Sequence, residues 1–131
     1  MLDKLLLLTL ALVIGHQIDA AYWHEWDMFA LPGGIQLFDL INVILFVPLL
    51  AAFSAAMRRS ADGYRCAQLI GAVGLIIGPI HAGFALAGFE QFQLPVSIAL
   101  IIAPSICGAF LLGVASRHKY EFGTASGTTN A

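Results

Sequence analysis

The sequence predicts an all-α integral membrane protein: a four-transmembrane-helix bundle with both termini cytoplasmic and a short aromatic interfacial segment between helices 1 and 2. Three observations carry that expectation. Of 131 residues, 60% are hydrophobic and 11% charged, where soluble domains average about 25% charged, and the mean hydropathy is +0.87. The apolar residues gather into four stretches, 3–22, 35–57, 64–89 and 94–117. Each supplies the ~20 helical residues that cross ~30 Å of hydrocarbon. All six basic residues (Lys4, Arg58, Arg59, Arg65, Arg117 and Lys119) fall at the same end of the four stretches, and basic excess in short loops marks the cytoplasmic face. Residues 1–120 are therefore expected to form one multi-pass domain in the inner (cytoplasmic) membrane, and the lipid bilayer is the first partner.

The opposite end carries Asp19, Glu25, Asp27, Asp39 and Glu90 with no Lys or Arg, an asymmetry that favours cations or protons there. Met1–Ala20 also has the outline of a secretory signal, but Ile18 at the −3 position and Asp3 in the first segment argue against cleavage after Ala20.

Helix 1 is an apolar run until His16, which lies about 9 Å below Tyr22 by helical rise. Asp19 stands one turn further out on the same face. Thr9 sits two turns deeper and is expected to bond back to its own helix. From His16 to Phe29 the chain carries two histidines, three acids and four aromatics, the densest concentration of proton- or metal-holding groups in the sequence. Tyr22, Trp23, Trp26 and Phe29 fit an aromatic belt at the membrane–water boundary. Anchoring does not require His24, Glu25 or Asp27. Pro32, Gly33 and Gly34 turn the chain into helix 2.

Helix 2 carries Gln36, Asp39 and Asn42 at three-residue spacing, predicting an inward polar stripe with Phe46. An acid in hydrocarbon costs a few kcal/mol unless paired, which makes Asp39 a candidate site residue. Pro48 removes one helical donor. The basic turn Arg58–Arg65 is expected to touch anionic lipid; it is too small to read nucleic acid.

Helix 3 holds a Gly74-x-x-x-Gly78 pair, a pattern that lets helices approach closely; it is the expected contact for a homo-oligomer or a larger membrane complex. His81 faces the same side as Gly74 and Gly78, at about the same depth as His16 by helical rise. In helix 4, Ser105, Ala109 and Gly113 form a second small-residue seam, and Ser97, Pro104 and Ser105 offer polar groups to the interior. Cys66 and Cys107 differ in depth by about 14 Å, too far for a disulfide. The polar tail, 121–131, is expected to be disordered.

These residues assemble into an outward-facing pocket. His16, Asp19, His24, Glu25 and His81 are candidate ligands for a transition metal such as zinc or iron. Without a metal, His16, Asp19, Asp39 and His81 are candidate acid–base groups, since burial favours the neutral form of carboxyl and imidazole alike. Tyr22, Trp23, Trp26 and Asn42 would line the pocket around a lipophilic small molecule. A haem b clamped by His16 and His81 is geometrically conceivable, but two axial histidines are a weak signal. Two non-enzymatic readings stand beside these: an accessory or structural subunit held together by polar pairs, and proton or cation transport. Transport meets an apolar inner half at Leu5–Leu8, Val43–Leu45 and Leu69–Ile70. No motif assigns a reaction.

Overall fold

The computed structural model describes residues 1–122. Five α-helices and one 3-10 turn make up the fold, with no strand among the described residues: α1 (Leu2–Tyr22), α2 (Glu25–Met28), α3 (Gly34–Met57), α4 (Gly63–Leu86), α5 (Pro95–Arg117) and the turn Lys119–Glu121. α1, α3, α4 and α5 are long and apolar enough to cross a membrane. From residue 123 onward the expected disordered tail lies outside the described residues.

The helix limits follow from local chemistry. α3 starts at a pair of glycines with φ of +85° and +57°, a left-handed path that glycine adopts without steric cost. α4 stops at Leu86, short of the expected residue 89, because Gly88 turns left-handed at φ +88°. Pro95 occupies the first turn of α5, where its missing N–H breaks no helical bond. The short helix α2 was not anticipated; it forms within the aromatic segment and folds it back onto the bundle.

α4 and α5 make the most extensive contact, α1 lies against both, and α3 packs on α4 and less extensively on α1. Glycine sets the α4–α5 spacing. A Cβ on Gly108 would stand 2.5 Å from both the Gly71 carbonyl oxygen and the Leu75 nitrogen. One on Gly74 would meet the Pro104 carbonyl oxygen at 2.8 Å. The Gly78 N–H donates to Ser105 Oγ at 2.7 Å. The Gly74/Gly78 seam is thus filled by α5 of the same chain, so the close approach it permits is used within the chain. Likewise the α5 side of the seam is Ser105 and Gly108; Gly113 has nothing within 4 Å of its Cβ position and Ala109 is exposed.

Two cores fill the interior. Leu2, Leu6, Leu10, Leu49, Ile70 and Leu111 belong to one; Ala20, Trp26, Met28, Phe38 and Phe92 form the other, under α2. At the end of the first core, Arg59 bonds Asp3 at 2.7 Å and the Lys119 ammonium lies 5.6 Å from the Tyr64 ring centre. These contacts join the start of α1 to the end of α3, and the end of α5 to the start of α4. The Lys and Arg side chains therefore collect at one end of the molecule, and α2 with its acids at the other. Both cysteines are free, as their depths require, and Thr9 Oγ1 donates to the Leu5 carbonyl at 2.8 Å.

Candidate functional site

The second core encloses a cluster of three ionisable side chains from three helices. His16 of α1, Glu25 of α2 and His81 of α4 are 2%, 5% and 7% exposed. Each offers one ligand-type atom, and these atoms lie within 4.8 Å of one another. Glu25 arrives there because His24, just before α2, takes a left-handed φ of +56°. That conformation is uncommon outside glycine, although histidine is among the residues enriched there. The turn sends Glu25, Trp26 and Met28 inward and leaves Asp27 outside.

The hydrogen-bonding of the cluster is incomplete. His81 Nδ1–H donates to the Ile77 carbonyl at 2.9 Å, since a carbonyl only accepts. In the neutral ring that leaves a lone pair on Nε2, which faces Glu25 Oε1 at 3.2 Å. Nε2 is buried without a hydrogen-bond partner, and so is His16 Nδ1. Two buried acceptors so close require a positive centre between them, either a proton or a metal ion. The two imidazoles meet edge to face, ring centres 4.8 Å apart. Phe92 closes against both, at 5.9 Å from His16 and 4.6 Å from His81. No slot for a flat macrocycle lies between rings in this arrangement, so the haem clamp is set aside.

The cluster borders a cavity of about 250 Å³ with mostly apolar walls, among them Val13, Phe38, Leu45 and Ile77, and with Gln17 and Asn42 as further polar lining. Its lining reaches Ile41, Ile76 and Ile80, all exposed on the helix surface, so the cavity opens sideways between α3 and α4. A second apolar cavity of about 310 Å³, between α4 and α5, has His81 and Phe92 in its wall. His81 is therefore shared by both.

The other predicted residues are placed differently. Asp19 lies beside the cluster in a separate chain of bonds: Trp23 Nε1–H donates to Ser97 Oγ at 2.9 Å, and Ser97 donates to Asp19 Oδ1 at 3.0 Å. Asp19 Oδ2 is buried without a partner. His24 is exposed, its ring stacked on Trp26 at 4.7 Å, and is not among the residues brought together in the cluster: the backbone turn that directs Glu25 inward directs His24 out. Asp39 is exposed as well. It borders a shallow groove with Gln17 and Asn42 on the α1–α3 side, so the stripe expected on that helix is rotated and only Asn42 reaches the cavity. Tyr22 and Trp23 line a surface pocket with His24, Glu90 and Gln91. Trp26 packs as core, 5.4 Å from Phe38. Sequence reasoning missed Phe92, which folds to the centre of the site at φ +63°. A left-handed bulky residue carries strain on the order of 1–3 kcal/mol. The only local sign was a lone phenylalanine between Gln91 and Gln93.

Fold and site together define a class: an all-helical protein with four helices of membrane-crossing length around a buried His–Glu–His cluster. The chain belongs to DUF6713, a family of unknown function, whose model matches residues 2–118. No curated protein and no solved structure matches the chain.

Proposed function

We propose that this chain is a four-span protein of the cytoplasmic membrane that binds, or performs acid–base or metal-assisted chemistry on, a lipophilic small molecule at its outer half. The observation that carries the reading is the Glu25–His81 pair, 3.2 Å apart, set in the wall of a mostly apolar cavity that opens on the helix surface. Ligand sites have this composition: mostly apolar walls with few, placed polar groups. At about 250 Å³ the cavity is below the usual range of ~300–1,000 Å³ for small-molecule sites. That size suits a compact molecule, or the polar end of a chain whose remainder lies in the bilayer. An acid and an imidazole in contact and out of water are suited to passing a proton to and from such a molecule.

The single basic end of the molecule supports cytoplasmic termini, which puts the cluster toward the outer face. A reporter that is active only in the cytoplasm should work when fused to the C-terminus, and activity of a periplasm-only reporter there would refute this orientation. For the ligand, the expected result is a lipophile that co-purifies in mild detergent and is identified by mass spectrometry. Ile80→Trp, at the cavity mouth, should at least halve its occupancy while helicity stays unchanged. Equal occupancy in both proteins would overturn the reading.

A second reading is favoured by one observation. Gln36 and Asp39 are exposed on a surface of α3 that also presents Ile35, Leu40, Val43 and Ile44, and a polar group on such a face suits a non-catalytic subunit docked in a larger complex. Proton or cation transport draws no support from the basic end, where Leu6, Leu10, Ile70 and Leu111 pack into an apolar core.

A further inference from the structure

We infer that His16, Glu25 and His81 form a three-ligand site for one divalent transition ion, zinc or ferrous iron, with an open coordination position toward the apolar cavity. The cavity's role as a ligand pocket rests on the function proposed above, while the metal site stands on the geometry of the cluster.

Two imidazole nitrogens, His16 Nδ1 and His81 Nε2, are buried without a hydrogen-bond partner. One proton between His81 Nε2 and Glu25 Oε1 would satisfy that pair and nothing else. His16 Nδ1 would remain buried and unpartnered, and native proteins seldom leave such atoms without an explanation. A metal ion would take one ligand atom from each of the three residues, whose ligand atoms already lie within 4.8 Å of one another. The donor set agrees: two imidazoles and one carboxylate are the ligands of open zinc sites and of the facial triad that holds ferrous iron.

Distances point the same way. Ligand atoms around a tetrahedral ion with bonds of about 2.0–2.2 Å lie about 3.3–3.6 Å apart. The His81–Glu25 edge is already 3.2 Å. The widest separation in the cluster, up to 4.8 Å, must close by about 1–1.5 Å, a side-chain adjustment of the kind that commonly accompanies binding. His81 also has the second contact expected of a metal-bound histidine, its far N–H fixed on a backbone carbonyl. All three ligands line the same cavity. Three protein ligands leave a fourth position, where an ion acts as a Lewis acid on a polar group of the bound molecule.

The test uses the full chain, stripped with a chelator in mild detergent and titrated by calorimetry with zinc, ferrous iron and cobalt(II). The expected result is one ion per chain, with cobalt giving the visible ligand-field bands of a low-coordinate site. His16→Asn and Glu25→Gln should each weaken binding at least ~10-fold, the lower end of losses seen even for outer-shell changes. His24→Ala and Asp39→Asn should bind as the wild type, and circular dichroism checks that every variant is folded. Absence of stoichiometric binding by folded wild-type protein overturns the site, as does unchanged affinity in folded His16→Asn. Co-purified lipophile, scored separately, distinguishes the two failures. Lipophile without metal overturns this inference alone, and metal without lipophile overturns the proposed function alone.

Discussion

Gly108→Leu is expected to abolish the folded state, with no helical, monodisperse protein recovered in mild detergent. The clash is between backbones, so no rotamer relieves it. Even the first added carbon would stand 2.5 Å from the Gly71 carbonyl oxygen and the Leu75 nitrogen and 3.0 Å from the Gly74 carbonyl carbon. α4 and α5 would have to separate, opening the contacts of Gly71 with Leu112 and the Gly78–Ser105 bond. Overpacking of this kind typically costs 1–3 kcal/mol. For Gly108→Ala we expect about that loss, read from the unfolding midpoint in a denaturing detergent. Leucine adds three more carbons in the same place, and the total approaches the ~5–15 kcal/mol that holds a typical domain folded. Gly113→Ala is the matched control. Nothing lies within 4 Å of its Cβ position, so it should be neutral or, through reduced backbone freedom in the unfolded chain, stabilise by up to about 1 kcal/mol. Equal losses at the two positions would show that the α4–α5 contact is not set by Gly108.

The helices of the fold were legible because hydrocarbon imposes a length and because charge sorts to one end, and both signals survive in a linear string. Depth was legible for a similar reason: a fixed rise per residue puts His16 and His81 at one level, and their rings meet at 4.8 Å. Rotation about each helix axis was not. In α3 a three-residue spacing drifts around the axis, so Gln36, Asp39 and Asn42 spread over about 120° and the string does not fix which part of that arc faces inward. The chain settles the matter by burying Phe38 and leaving Asp39 outside. Among the acids of the first fifty residues the sequence had no means of singling out Glu25. Its inward path depends on a left-handed His24, a conformation held by tertiary packing of Trp26 and Met28. Phe92 was hidden by the same physics, since its backbone strain is offset by the packing of its ring against both imidazoles. The glycine pattern announced close packing but not its partner, because Gly74 and Gly78 suit any helix that brings a small face to them.

The second large effect separates a site from a strut. His81→Leu should cost about 3–5 kcal/mol, the usual penalty for stranding one member of a buried ionic pair, because it leaves Glu25, 5% exposed, without its partner at 3.2 Å. Glu25→Leu should cost less, about 1–3 kcal/mol, since the neutral His81 ring keeps its Ile77 bond and loses only a contact on Nε2. In the double variant the stranded charge is gone. Replacing a buried pair with apolar groups of similar volume is often neutral or better, so His81→Leu/Glu25→Leu should recover most of the loss, giving a coupling of about 2 kcal/mol or more in a double-mutant cycle. Additive losses would mean that the two side chains do not interact as their geometry requires. If the cycle behaves as expected, the pair is dispensable for folding. A double variant that stays helical yet no longer retains metal or lipophile would then assign the His16–Glu25–His81 cluster to chemistry, because apolar residues would have served its packing equally well.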